Sequence, residues 1–391
     1  MLARATTPRG GAVAAAVLVF ALAAVACVGT DDRQLQARAT DDAGAVSSTP
    51  ATSTPMTGPT TAAPSTTAGR GPLGSGSPVT LAFAGDASFE GLEAALAQRP
   101  GTLLSEIAPV LGAADVTVVN LEAALTAGGT PEPKTFTFRV PPAALDALAA
   151  AGVDAVTLAN NHGMDYGRAG LEETLEIRDS AAVAVIGVGR DAQDAYSPYV
   201  TEVRGQRIGV IAANDVFDSN LVASWTATDD QPGIASAKVP HQERLVAAVR
   251  DLRDRVDTLA VYLHFGTERD TCPHDRQREL VGVLVDAGAD IVVGSHAHRL
   301  QGLGYLGDRF VAYGLSNFVF RSPSAEGRRS GVLTITATGR RIDGFEWAPA
   351  VIRDLVPVPL QGTEAEAELA AMDGLRECAG LRATAAGEGT T

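Results

Sequence analysis

Short runs of β-branched and small apolar residues recur along this chain, and five of them close on a side chain able to bind a proton or a metal. Val79 to Ala84 ends in Gly85-Asp86, Asp115 to Asn120 runs into Leu121-Glu122, and Asp154 to Leu158 ends in Ala159-Asn160-Asn161-His162. Thr258 to Leu263 ends in His264-Phe265-Gly266-Thr267-Glu268, and Asp290 to Val293 ends in Gly294-Ser295-His296-Ala297-His298. Apolar runs this short, bounded by glycine or polar residues, read as buried strands followed by loops. Helical segments fall between them: Pro142 to Ala151, Gly167 to Ser180, Gln242 to Arg255 and His274 to Ala287. The alternation predicts an α/β fold, whose ligands bind at the carboxyl edge of the sheet.

The chain has only six histidines, and His162, His264, His296 and His298 directly follow predicted strands. With Asp86, Glu122 and Asn161, also at strand ends, they make one rim dense in nitrogen and oxygen donors. Imidazole together with carboxylate and amide oxygen suits zinc, manganese or iron. More than four candidate ligands favour a bridged pair of divalent ions that polarises a scissile group, with one histidine left to protonate a leaving group. Two exposed loop histidines at 296 and 298 are the plainer alternative. His241 and His274 precede helices and read as surface or capping residues. Asp165 either caps the helix after Gly167 or touches the chemistry, and Asn317 reads as a turn residue. Lys134 and Arg139, on an arm from Lys134 to Val140, face a polar substrate in this reading. Arg269, Arg299 and Arg321 lie near the motif loops, where they either bind carboxylates or stay solvated.

The remainder sets the context. Arg4 and Arg9 precede a nearly unbroken Ala/Val/Leu run from Gly11 to Ala26, the pattern of an export signal. Ala24-Val25-Ala26-Cys27 is similar to a lipoprotein processing site, so residues 1–27 read as a leader with acylation of Cys27 as one outcome and simple cleavage near Ala26 as the other. Residues 28–78 are rich in Thr, Ser, Ala, Pro and Gly and read as a disordered tether. Residues 79–360 form the expected domain, and residues 361–391 a helix from Thr363 to Met372 and a tail. Phe310 to Tyr313, Val332 to Thr336 and Arg341 to Trp347 read as antiparallel strands, and Val216 to Pro240 as a loop over one face. With Cys27 consumed by lipid, Cys272 and Cys378 remain as a disulfide or as two thiols. The formal charge of -15 without a basic block argues against nucleic acid and anionic membrane surfaces as partners. An anionic substrate would need a local cation.

Taken together, Gly85-Asp86, Asn120-Leu121-Glu122, Asn160-Asn161-His162 with Asp165 and Gly167, His264-Phe265-Gly266-x-Glu268, Gly294-Ser295-His296-Ala297-His298 and Tyr313-Gly314-Leu315-Ser316-Asn317-Phe318 resemble the CapA family. These are proteins of bacterial capsule and poly-γ-glutamate synthesis, related to the calcineurin-like metallophosphoesterases. The resemblance covers about Val79 to Phe320, with the motifs in consistent order. It implies a four-layer metallophosphoesterase-like fold, a β-sandwich flanked by helices, with one or two divalent ions (Mn, Zn or Fe) at the strand ends. By that resemblance Asp86, Glu122, Asn161, His264, His296 and His298 are metal ligands, His162 is the general acid, and Glu268 sits at the rim, orienting His264 or contacting substrate. The sequence departs from the phosphoesterase pattern at Asp86-Ala87-Ser88, where Asp-x-His is usual, at Asp165, displaced from its place directly after the Asn-His pair, and at Ser316 in place of glycine.

Two functional readings follow. One is an exported, lipid-anchored metal-dependent hydrolase of a phosphoester or γ-glutamyl amide in an anionic cell-envelope polymer or its precursor. The other is a non-catalytic accessory that holds polymer carboxylates at the metal site. Both expect the polymer, the membrane through Cys27 and capsule-synthesis membrane proteins as partners, at the cell surface.

Overall fold

The computed structural model describes residues 76–386. The expected export leader, the acylation of Cys27 and the tether up to residue 75 lie outside the described residues. No described helix is long and apolar enough to cross a membrane.

Two sheets dominate. In the 8-stranded one, Val79–Ala87, Val116–Leu121, Ala155–Thr157 and Ala184–Ile186 run parallel in that order, and Arg329–Thr338 pairs antiparallel on the other side of Val79–Ala87. Arg341–Arg353 and Val356–Pro359 extend that side, and Asn317–Val319 lies parallel to the end of Val79–Ala87. In the 6-stranded sheet, Gln206–Asn214, Thr258–Phe265, Ile291–His296 and Arg309–Ala312 are parallel, with Tyr199–Val203 and Leu303–Leu306 antiparallel at the edges. The expected antiparallel run of Phe310 is therefore half right. It is antiparallel to Leu303–Leu306 but parallel to Ile291–His296, because the chain makes a hairpin before it rejoins the sheet.

Alternation along the strands builds the layers. Val210, Ala212, Ala260, Tyr262, Ile291 and Val293 point into a core shared with Leu81, Phe83 and Val118 of the larger sheet. Their neighbours Ile211, Ala213, Val261, Leu263 and Val292 point outward, onto Leu245, Val249 and Leu252 of helix Gln242–Arg253 and Leu280, Val281 and Leu284 of helix Asp275–Ala287. Across the sandwich, the Tyr262 hydroxyl donates to the Ala84 carbonyl at 2.8 Å. On the far side, Thr117 donates to the Leu111 carbonyl at 2.8 Å, and helices Ala143–Ala150 and Gly167–Arg178 add Leu145, Leu148, Leu171 and Leu175 to the core. The four-layer α/β sandwich implied by the resemblance is the fold.

Three expectations need correction. The 216–240 segment is not a plain loop: helix Val222–Trp225 and strand Gly233–Ile234 lie within it, and Trp225 is buried. The Lys134 to Val140 arm keeps strand geometry only at Arg139–Val140, since Lys134 is drawn inward by a carboxylate. The terminal helix runs Gly362–Ala379 and contains Cys378 rather than ending before it, and Cys378 is disulfide-bonded to Cys272.

Candidate metal centre

The carboxyl ends of the parallel strands in both sheets meet at one rim. Asp86 lies at the end of its strand, beside Asn120, whose amide donates to Asp86 Oδ1 at 2.8 Å. From the other sheet, the backbone N–H of His296 donates to Asp86 Oδ2 at 3.1 Å, although 210 residues separate the two. His296 is registered with Phe265, which faces the outer helices, so an undistorted strand would turn His296 away from the rim. Its φ is +93°, and its ring lies 4.8 Å from that of His264. His298 also sits at positive φ, +51°. Such backbone is uncommon for residues other than glycine and persists where surrounding bonds enforce it. His296 is thus the last residue of a strand, not a loop residue.

Glu122 occupies the middle. It is fully buried, and neither carboxylate oxygen has a hydrogen-bond partner. Around it stand two groups of ligand atoms, Glu122 with His264 and His296, and Glu122 with Asp86 and His298. Nδ1 of His296 is likewise buried without a partner. Nε2 of His264 lies 3.4 Å from Glu122 Oε1 and 2.7 Å from Asn161 Oδ1. Ligand atoms each about 2 Å from one ion stand roughly 3 Å apart, so this spacing fits a shared cation. His264 is oriented by the Ser295 hydroxyl, 3.0 Å from Nδ1, and by the Asn120 amide at 3.3 Å. Glu268 takes no part in this, being exposed in the following turn.

His298 Nδ1 lies 2.8 Å from Asn317 Oδ1 and 3.3 Å from Asp86 Oδ2. Asn317 also donates to the Gly327 carbonyl at 2.8 Å, so it holds a turn as expected and orients a site histidine as well. Ser88, where the related pattern has histidine, accepts the Glu90 N–H at 3.4 Å and belongs to neither group.

His162 stands opposite, its Nε2 3.9 Å from Glu122 Oε1. Its Nδ1 is 2.5 Å from Asp165 Oδ2, which settles the role of Asp165: the carboxylate orients His162, and the helix at Gly167–Arg178 starts without a side-chain cap. Lys134 donates to the other Asp165 oxygen at 2.7 Å and to the Asn161 carbonyl, with its ammonium 4.9 Å from the Trp225 ring centre. Lys134 therefore does not face a substrate. Asn160 completes the frame, donating to Asn120 Oδ1 at 3.0 Å and accepting the His162 N–H at 3.0 Å. Asn160 and Lys134 are the residues sequence reasoning undervalued. The doubled asparagine before His162 was the one local sign.

The electrostatics follow from burying so many groups together. Burial, reinforced by the charge of Asp86, pushes Glu122 up to about 8. Burial opposes the charge of Asp86, but the hydrogen bond and charge of His298 and the charge of His264 hold it well below the usual carboxylate range. His264 is lowered to about 3 by burial, which outweighs the attraction of Asp86. Burial, with repulsion from His264 and His298, also keeps His296 well below its ordinary value. Burial works against His298 too, yet the charges of Glu122 and Asp86 and its hydrogen bonds lift it to about 9. Neutral His264 and His296 already present the lone pairs a metal requires.

The model for the bacterial capsule synthesis protein family PGA_cap matches residues 80–322, more than half the chain and every strand end of the rim. The chain belongs to this family. Among similar proteins, the "Capsule biosynthesis protein CapA" of Bacillus anthracis is 34% identical over 44% of this chain and 42% of its own. The "PGA biosynthesis protein CapA" of Bacillus subtilis is 30% identical over 52% of each. A Mycobacterium tuberculosis protein named "Probable polyglutamine synthesis accessory protein" is 28% identical over 53% of this chain and 56% of its own. The chain thus spans about half the length of the curated relatives it matches.

Proposed function

We propose that this PGA_cap chain acts in capsule biosynthesis on an anionic cell-envelope polymer of the poly-γ-glutamate kind, as a metal-dependent hydrolase of a γ-glutamyl amide or phosphoester. The observation that carries the reading is Glu122, whose two buried oxygens lack hydrogen-bond partners and belong to both candidate ligand groups. A buried carboxylate left this way is costly, and a cation on each side removes the cost. We assign Glu122, His264, His296 and Asn161 to one ion and Asp86, Glu122 and His298 to the other. Ions held there would supply Lewis-acid polarisation of the scissile group and an activated water.

The chain's own residues do the rest. Asp165 fixes His162 through Nδ1, leaving Nε2 toward the rim, where it holds the proton for the leaving group. Lys134 locks Asp165 and the Asn161 carbonyl together, so the general acid and a ligand share one anchor. Glu268, exposed in the turn that follows the His264 strand, is assigned in this reading a substrate contact and no part in orienting His264.

A second reading, an accessory that holds polymer carboxylates without turnover, is favoured by Ser88, which leaves the Asp86 side one imidazole short. Elemental analysis of the purified chain, followed by hydrolysis assays on poly-γ-glutamate and phosphoesters with wild type and His162→Ala, separates the two. The hydrolase reading expects metal in both proteins and a loss of turnover of about 10²–10⁴-fold in the variant. Stoichiometric metal with no turnover on any substrate would leave only the accessory. We also place the protein outside the cytoplasm, anchored through Cys27, on the leader pattern. Labelled palmitate carried by the wild type and lost in Cys27→Ser tests that.

A further inference from the structure

An aromatic wall crosses the mouth of the rim. The Phe138 ring lies 4.4 Å from His162, the Phe320 ring 4.8 Å from His298, and the two phenylalanines meet edge-on at 5.9 Å. Both are only partly buried, and Phe136, two residues before Phe138, is 68% exposed. The wall is mounted on the frame of the site. Asp165, which orients His162, also accepts the Phe138 N–H at 2.7 Å. Asn317, which orients His298, opens the strand Asn317–Val319 that delivers Phe320. Partly exposed rings beside a polar centre gain nothing from water, and their position fits an apolar portion of a substrate that spans both histidines.

We infer that Phe138 and Phe320 bind the main-chain methylene pair of a γ-linked glutamate polymer and so select it over other polyanions. This rests on the function proposed above. In a γ-linked chain the two methylenes lie in the backbone between carbonyl and α-carbon, while the α-carboxylates project sideways. Such a backbone can lie along an apolar wall while its charges stay in water or reach the rim. An α-linked polyglutamate has an amide-dense backbone and places its methylenes in side chains that end in charge, and polyphosphate has no apolar portion at all. The wall distinguishes among three polymers that bulk charge treats alike.

The test uses the full chain loaded with manganese and fluorescently labelled poly-γ-glutamate, poly-α-glutamate and polyphosphate of matched charge. Burial of a methylene is worth roughly fourfold in affinity, so loss of the pair's wall is on the order of tenfold. Phe138→Ala and Phe320→Ala are expected to weaken γ-polymer binding by that amount, with metal content and polyphosphate binding unchanged, while Phe138→Leu stays close to wild type. If an alanine variant fails to fold, Phe320→Gln, which keeps bulk and removes the apolar face, carries the same expectation. Unchanged γ-polymer affinity in the variants, or equal losses for all three polymers, would overturn the inference and leave the proposed function standing. Metal-loaded wild type that binds none of the three would overturn both.

Discussion

Glu122 would tie stability to the proposed metal binding. Glu122→Gln should lose metal from both proposed positions, and the metal-free variant should melt no lower than metal-free wild type, since glutamine matches the shape of the protonated Glu122 carboxyl and, unlike it, cannot ionise as pH rises through 8. Elemental analysis and calorimetry check the two halves. The pH dependence of the metal-free protein follows from the same groups. Glu122 is raised from 4.5 to about 8, so the stability it contributes is complete below pH 4.5 and is lost as pH rises through 8. His298, raised from 6.5 to about 9, contributes stability lost as pH rises from 6.5 through 9. His264, lowered from 6.5 to about 3, acts in the opposite sense, its contribution being lost as pH falls from 6.5 toward 3. The melting temperature without metal should therefore fall between pH 6.5 and 9. Added manganese should raise it increasingly over that range, because ligation requires Glu122 and His298 to lose their protons. A melting series across pH, with and without the ion, reads both trends. Residue types at the rim were legible in the sequence, since strand ends carried them. The pairing of Asp165 with His162 was not, because a carboxylate three residues on can equally cap a helix, and only the turn geometry decides.

At the level of elements, close approach of backbones places the candidate ligands. A Cβ on Gly85 would lie 2.0 Å from the Ser316 carbonyl oxygen, so the first strand and the Ser316-Asn317 turn touch only because that residue is glycine. Gly85→Ala should push the turn away, moving Asp86 and Asn317 together, with loss of metal and a lowered melting temperature as the readouts. The Cys272–Cys378 disulfide joins the terminal helix to the turn after His264, where Gln301 also holds the carbonyls of Asp270 and Cys272. Reduction, or Cys378→Ser, should destabilise the domain by about 2–4 kcal/mol, measurable by denaturant titration. Strands and helices were largely legible, since alternation and helical periodicity are local. The 216–240 segment was missed because its short helix and strand are stabilised by burying Trp225, a tertiary contact with no periodic signature.

For the whole molecule, a charge of -15 repels the polyanion it is proposed to bind, except at the rim. Association with labelled poly-γ-glutamate should therefore accelerate as salt rises from about 10 mM to about 150 mM, as screening shortens the repulsive field. Stopped-flow mixing tests the sign, and a rate that falls with salt would instead mean that local cations dominate the encounter. The sequence by itself determined the α/β class, the order of strands and the donor residues at their ends, because apolar period and glycine placement are local properties of a chain. Only the tertiary structure decided that Glu122 is shared between two groups, that His296 turns inward on a strained backbone, and that two phenylalanines wall the mouth. Those features depend on two sheets packing face to face and bringing together strand ends as far apart in sequence as Asp86 and His296. The His296-Ala297-His298 motif becomes part of a site only where Asp86 accepts a backbone N–H from the opposite sheet.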